Sequence, residues 1–456
     1  MVETSRAGTF SGRVGVLFGT QVFGAAVGIA NGILLARLLG PAAKGDYYLL
    51  ILVPSTVMVL VQLGLPQAFS YFSARGETLG MVGKSLVLTV GLSSAACLGV
   101  LALLPLLRDA FLHGIGIGQV LFAFLALPLA LNATFATGIV MGRQAVRWYA
   151  AVNIAYPIAT TFLLVAILGG LGPSVTGAIA VYLVASLIQS AGFTIGAKRV
   201  SAANAGARRV SYSELLRYGL PFYPASITGF FSYRIDAYLI AWLITDAAAP
   251  LGYYSMAVGL AELVFFFPSA VSTLFFPHVA GSPREDSDRQ VAVVSRVTLL
   301  VSGTVAILLI PAAAAMIWIL LPAFGPSIPA FLVLLPGVVA LSVAKVVGGY
   351  VAGIGRPGIS SYVSVGSFAV NVVANLILIP RFGIIGASAA SLVSYSLSAL
   401  WLTAIAARLT RTPLTGFWIP RAGDVRFTVA TIVGLVRRLR DGRAASRDDR
   451  GVRIEP

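Results

Sequence analysis

The chain carries nearly the same pattern twice. Pro128 … Met141-Gly142-Arg143 … Asn153 … Gly177-Ala178-Ile179-Ala180 returns in the second half as Pro336 … Ile354-Gly355-Arg356 … Asn371 … Gly386-Ala387-Ser388-Ala389. Gly45-Asp46-Tyr47 is likewise echoed by Gly252-Tyr253-Tyr254. The spacing is 207 residues from Gly45 to Gly252, 213 from Gly142 to Gly355 and 209 from Gly177 to Gly386. A repeat half the chain long, made of apolar segments, restricts the fold to two similarly built halves. In membranes such duplication accompanies a transport pathway between the halves.

The segments are apolar enough to require a membrane. Of 456 residues 58% are hydrophobic and only 11% charged, with a mean hydropathy of +0.92, whereas a soluble domain is about 25% charged. Too few charges remain to coat a water-facing surface. The net charge of +16 therefore marks loops on one side of a bilayer and a basic tail, and no nucleic-acid partner is expected. Cys97 is the single cysteine and His113 and His278 are the only histidines, so neither a disulfide nor a metal cluster is expected, and Cys97 reads as a small buried thiol. Val14 to Leu38 is too long for a signal-peptide core and reads as a retained first span.

A helix needs about 20 apolar residues to cross the hydrocarbon core. Twelve such runs occur, at about 14–38, 46–65, 85–106, 118–142, 149–170, 174–197, 216–244, 250–278, 291–320, 328–354, 358–379 and 384–408. They are continuous rather than alternating, which indicates helices and not barrel strands. The expected fold is an all-α polytopic membrane protein with about 12 transmembrane helices in two parallel six-helix repeats. With the N-terminus inside, 15 lysines and arginines fall in inside loops against four outside (Arg37, Lys44, Arg108 and Arg381) before the basic tail is counted. The chain is thus expected to be multi-pass in the cytoplasmic membrane with both termini cytoplasmic. The domain reading is an N-terminal lobe at 1–197, a basic linker at 198–212, a C-terminal lobe at 213–410 and a basic tail at 411–456. Within the tail, Phe427 to Val436 is too short to span. It reads either as an amphipathic segment against anionic lipid headgroups or as a solvated, disordered tail.

An ionisable group at bilayer depth is costly and so is a functional candidate. Arg234 and Asp236 in the seventh span, Glu262 in the eighth and Lys345 in the tenth qualify. At 1.5 Å per residue, Arg234, Asp236 and Glu262 lie about 14, 11 and 18 Å from the outer end of their spans, so Arg234 and Glu262 share a level and could pair. Lys345 falls in the inner third, where a lysine can snorkel. Arg234 and Asp236, two residues apart, point to nearly opposite sides of one helix. They either face a central cavity or bind helices together. Prolines at 221, 224, 268 and 277 are expected to break spans seven and eight. Tyr253, Tyr254 and Phe265 to Phe267 could stack on sugar rings or form an interfacial belt. Asn132 reads as an interhelical hydrogen-bonding group. No phosphate-binding G-x-x-x-x-G-K-[ST] loop, no H-E-x-x-H and no large acidic loop is present, so neither ATP hydrolysis nor enzyme activity is expected.

Leu35-Ala36-Arg37-Leu38-Leu39-Gly40-Pro41, Gly45-Asp46-Tyr47, Tyr218-Gly219-Leu220-Pro221, Tyr233-Arg234-Ile235-Asp236, Gly252 to Ala257 and Phe275-Phe276-Pro277, in this order and spacing, resemble the bacterial oligosaccharide flippases of the multidrug/oligosaccharidyl-lipid/polysaccharide exporter superfamily. The resemblance covers residues about 10 to 410. It implies two six-helix lobes forming a V, and a polyprenyl-pyrophosphate-linked oligosaccharide moved from the inner to the outer leaflet by alternating access in polysaccharide biosynthesis. It further implies Arg234 and Arg37 as candidates for the pyrophosphate, and Asp236 and Glu262 as groups that position the arginine or couple to a proton or sodium ion. Tyr254 and Lys345 complete the candidate translocation residues. No catalytic residue or resident cofactor is implied; a polymerase or glycosyltransferases of the pathway would be partners. A cation-coupled small-molecule exporter of the same superfamily, a non-transporting scaffold and a polymerase-like enzyme are the alternatives.

Overall fold

The computed structural model describes residues 2–111, 114–202 and 208–425. Phe427 to Val436, expected as an amphipathic or solvated tail segment, lies outside the described residues, as does the centre of the 198–212 linker. Among the described residues there is no strand. The helices are α1 (Val2–Val61), α2 (Leu65–Ala74), α3 (Met81–Phe111), α4 (Ile117–Phe124), α5 (Ala126–Gly142), α6 (Val146–Leu163), α7 (Gly169–Leu171) and α8 (Val175–Ala202). They continue with α9 (Tyr212–Gly219), α10 (Tyr223–Leu243), α11 (Ala248–Ala261), α12 (Phe266–Gly281), α13 (Arg284–Leu320), α14 (Ser327–Gly353), α15 (Pro357–Thr410) and α16 (Thr415–Trp418).

Two of these are too long to cross a bilayer once. The apolar part of α1, Gly19–Val61, has 43 residues, about 65 Å against a core of about 30 Å. It breaks at Gly40, whose φ of 74° is open to glycine at no steric cost, and Pro41 follows. The 54-residue α15 breaks in the same way at Gly383, with φ 58° and ψ −134°. Nine described helices are long and apolar enough to span. Counting the two broken ones twice and adding the 21-residue α10 restores the twelve crossings expected from the sequence.

Spans seven and eight are irregular beside Pro221 and Pro268, as expected, whereas Pro224 does not break its helix. Pro224 stands in the first turn of α10, where its missing N–H costs nothing. The irregular backbone is a pair of 3₁₀ segments, Leu220–Phe222, which contains Pro221, and Glu262–Phe265. The second ends just before Pro268, whose ring crowds the carbonyl four residues earlier. Cys97 is half-buried rather than fully enclosed.

The chain forms two compact units. The first comprises Met1–Leu260, Ala312–Leu334 and Ser364–Val393. One core cluster gathers Leu49, Val53, Phe124, Leu127, Ile240, Leu251 and Tyr254, and a second gathers Leu65, Phe69, Leu131, Phe135 and Phe193. Asn132 donates to Ser190 Oγ at 2.7 Å and Thr194 Oγ1 at 2.8 Å, as expected of an interhelical group. The second unit comprises Ala261–Pro311, Leu335–Val363 and Ser394–Pro456, with Val291, Val346, Tyr350, Ala399 and Phe417 buried in it. Bulky apolar side chains such as Phe162 and Trp318 are 78% and 70% exposed, which suits contact with lipid rather than water.

The first unit contains a reciprocal backbone contact. A Cβ on Gly45 would lie 1.7 Å from the Ala248 carbonyl oxygen, and a Cβ on Gly252 2.0 Å from the Pro41 carbonyl oxygen. Pro41 and Ala248, like Gly45 and Gly252, are 207 residues apart. Each half therefore offers a carbonyl to the other half's glycine, as in a two-fold interface. A similar approach brings Gly64 (φ 67°) against Gly219, where a Cβ on Gly64 would sit 2.0 Å from the Gly219 oxygen. Tyr71 stacks on Tyr218 beside it at 4.2 Å.

Gly252→Ala is expected to weaken the first contact by about 1–3 kcal/mol, the usual cost of overpacking. A cysteine placed at Ser255 in a Cys97→Ser background should then react faster with a maleimide; an unchanged rate would remove the contact's importance.

Candidate functional site

Asp236 is the best-defined polar centre of the first unit. It lies on the buried face of α10 with Ala237 and Ile240 and is only 2% exposed. Its Oδ2 accepts hydrogen bonds from Tyr254 Oη of α11 at 2.7 Å and from the Ser391 hydroxyl of α15. Its Oδ1 accepts from Asn375 Nδ2 at 2.7 Å. Asn375 also donates to Asn371 O at 2.9 Å and Asn371 Oδ1 at 3.0 Å, one helical turn away. The break at Gly383 divides α15 between Asn375 and Ser391, and both parts reach Asp236. All of these donors are neutral.

A carboxylate in such a place costs several kcal/mol unless its charge is neutralised. Neutral hydroxyls and amides orient it but leave the charge. The two states that relieve the cost are a protonated carboxyl and a carboxylate holding a small cation. Oxygen donors suit a hard cation, and the Asn375 Oδ1 atom is buried with no hydrogen-bond partner among the described residues. No group of three or more His, Cys, Asp and Glu side chains converges there among the described residues. The residues present therefore fit a proton or a monovalent ion better than a divalent one.

The other sequence candidates are distributed more widely. Tyr254 is buried on Asp236, so it serves the carboxylate rather than an open stacking surface. Tyr253 packs edge-on against Phe324 at 6.1 Å, and Phe266 is exposed, so the aromatic run is not one sugar-binding platform. Arg234 is half-buried and engaged by its surroundings. Arg37 is exposed on α1, just before the Gly40 break. Glu262 is half-buried in a 3₁₀ segment of the second unit, and Lys345 lines a cavity of that unit. Lys44, expected in an outer loop, is instead buried. Its Nζ donates to Ser255 Oγ at 2.9 Å and lies over Phe324 at 5.3 Å, because α1 resumes immediately after Gly40.

Sequence reasoning missed Asn375 and Ser391, and noticed Asn371 only as part of the repeat. Their signal was two asparagines four residues apart in an apolar span, a spacing that puts both amides on one helix face.

The first unit also holds a cavity of about 490 Å³ between α2, α5, α6 and α8. Gln67, Ser70, Thr134, Thr137, Asn153 and Gln189 contribute hydroxyls and amides to its wall, and no charged side chain lines it.

These features define a class: a polytopic helical membrane protein with a buried acidic centre. A family model described as "Polysaccharide biosynthesis protein" matches residues 13–281. The chain belongs to that family. It is 25% identical over 395 residues, 84% of this chain and 80% of the relative, to the probable low-salt glycan biosynthesis flippase Agl15 of Haloferax volcanii. A shorter match, 25% over 173 residues and 36% of each chain, is to the probable flippase AglR of the same organism. In fold it is similar to the lipid II flippase MurJ in its inward closed conformation, with a TM-score of 0.65, 14% identity and coverage of 95% of this chain and 99% of that one. It is also similar to a multidrug resistance MATE family transporter of the MOP superfamily in its inward-facing conformation, with a TM-score of 0.61, 16% identity and coverage of 88% and 96%. The expectation of a membrane transport protein rather than an enzyme agrees with these relatives, all named as flippases or transporters.

Proposed function

We propose that this protein flips a polyprenyl-pyrophosphate-linked oligosaccharide from the inner to the outer leaflet, by alternating access coupled to a proton or monovalent cation at Asp236. The single observation that carries the coupling is a buried carboxylate hydrogen-bonded by three neutral groups, Tyr254 of α11 and Asn375 and Ser391 from the two parts of α15, with Asn371 bonded to Asn375. Uptake of a positive charge at Asp236 strengthens the packing of α10, α11 and both parts of α15, and its loss loosens them. A transporter can move between two such states when the bound cation has different affinities for them. Family membership supports the glycan substrate. So does the uncharged amide- and hydroxyl-lined cavity, which suits sugar hydroxyls better than a cationic drug.

The two repeats then serve as six-helix lobes, 1–197 and 213–410, with both termini cytoplasmic as the lysine and arginine placement supports. The reading further assigns the basic tail to anionic headgroups and leaves a polymerase or glycosyltransferases as partners. Cells lacking the protein are expected to accumulate lipid-linked oligosaccharide and lose the exported glycan, both restored by the wild-type gene. Intact glycan with altered sensitivity to toxic cations would contradict this and favour a small-molecule exporter.

A further inference from the structure

The second unit holds a cavity of about 580 Å³ bounded by α12, α14 and α15. Lys345 lines it, with its Nζ 3.2 Å from Ser269 Oγ and 4.4 Å from the centroid of the Phe265 ring. The lysine is thus held within its own unit by a hydroxyl and an aromatic face. Simple snorkelling would not fix the ammonium against a hydroxyl in this way.

The backbone explains how the hydroxyls arrive there. Gly349 lets α14 approach α12, since a Cβ there would already lie 3.0 Å from Ser272 Oγ, and at Gly353 it would lie 2.7 Å from Val279. Ser272 donates to the Lys345 carbonyl at 2.9 Å and fastens the two helices together. Ser269, which accepts from Lys345, also lines the cavity. Ser360 of α15 also lines the cavity, and its Oγ is buried without a hydrogen-bond partner. The ammonium has further N–H donors beyond the one given to Ser269. One cation and two hydroxyls therefore line the same cavity. Phe276 lines the same cavity and is 46% exposed, giving an apolar rim next to the polar floor.

The geometry points to this cavity as the subsite for the phosphate groups of the lipid carrier, a polyprenyl pyrophosphate headgroup on Lys345, Ser269 and Ser360 with its first isoprene units along Phe276. The assignment rests on the lipid-linked reading above and adds the place where the anionic end is held. It also differs from the arginine candidates suggested by the sequence. Lysine holds phosphate as a point charge, and hydroxyls complete the shell.

The test uses the full chain in phosphatidylcholine nanodiscs, with farnesyl pyrophosphate, inorganic pyrophosphate and farnesol as probes. Farnesyl pyrophosphate should bind saturably and farnesol should not. Lys345→Gln should weaken binding by at least about tenfold, as loss of a charge-assisted hydrogen bond does, and Lys345→Arg should restore most of it. Gly348→Leu, which fills the cavity without touching a charge, should weaken binding as well. Inorganic pyrophosphate binding as tightly as the farnesyl ester would make the site one for free anion and overturn the lipid assignment; so would equal competition by phosphatidylglycerol. If Lys345→Gln and Gly348→Leu lower the melting temperature but bind as wild type does, Lys345 is structural and the proposal fails. Lysine-dependent binding by a protein that translocates no lipid-linked oligosaccharide would instead refute the functional reading and leave the subsite standing.

Discussion

Asp236→Asn is expected to leave the protein folded and to remove coupled transport. Asparagine keeps the shape, and its amide can still be satisfied by the Tyr254, Ser391 and Asn375 groups that surround Asp236. What it loses is the ability to gain and release a positive charge. Coupling free energies between sites are about 1–3 kcal/mol, so transport driven by a cation gradient should fall by roughly 5- to 150-fold. The melting temperature should meanwhile rise or hold, because a buried charge has been deleted without orphaning its donors. Asp236→Ala would behave differently, since up to three buried donors would be stranded at about 1–3 kcal/mol each. Gradient-driven transport by Asp236→Asn at the wild-type rate and expression level would show that Asp236 only binds helices together.

A second large effect is expected at a buried ion pair. In the second unit Arg296 Nε donates to Asp424 Oδ2 at 2.6 Å, its Nη2 to Asp424 Oδ1 at 3.1 Å and its Nη1 to Gly416 O at 2.6 Å. Both side chains are nearly enclosed, at 5% and 7% exposure. This forked pair holds the segment after α15 against α13 and carries the chain to the start of its basic tail. Removing one partner from a buried pair costs about 3–5 kcal/mol, because the other charge is left uncompensated. Arg296→Ala should therefore lower the melting temperature by several degrees, while Arg296→Met combined with Asp424→Leu should recover most of the loss.

The pH dependence has a definite sign. Hydrogen bonding from Arg296 holds the Asp424 carboxyl below its ordinary value. Its stabilisation is therefore complete above the unfolded carboxylate value of about 4 and is lost as pH falls through the lowered folded value. Acid melting curves of wild type and Asp424→Asn should converge below about pH 4 and separate above it. A constant difference across that range would contradict the assignment.

The helices were legible in the sequence because bilayer thickness fixes their length and composition, and the twelve apolar runs correspond to helical segments in order. Gly45 and Gly252 were visible as a repeated motif, but not the reciprocal carbonyl contact that makes glycine necessary at both. Asp236 was legible as a lone acid in an apolar span. Asn375 and Ser391 were not, because neutral polar residues are tolerated in spans and only the Gly383 break brings both to one carboxylate. Lys44 was misplaced since a charge near an apolar boundary reads as a loop; the chain resumes its helix after one residue of left-handed backbone. Lys345 reads in sequence as a snorkelling lysine, and only the approach of α12 through Gly349 reveals the hydroxyls around it.

The central claim is leaflet-to-leaflet movement of a lipid-linked oligosaccharide, and reconstitution with leaflet-resolved labelling tests it directly. Lipid-linked oligosaccharide placed in one leaflet of proteoliposomes should become accessible to a membrane-impermeant glycan-oxidising reagent at the opposite face. Wild-type protein under an imposed proton or sodium gradient should speed its appearance, and Asp236→Asn should reduce that gradient-driven rate by roughly 5- to 150-fold. Equal rates for wild-type, Asp236→Asn and empty vesicles under both gradients would contradict the account.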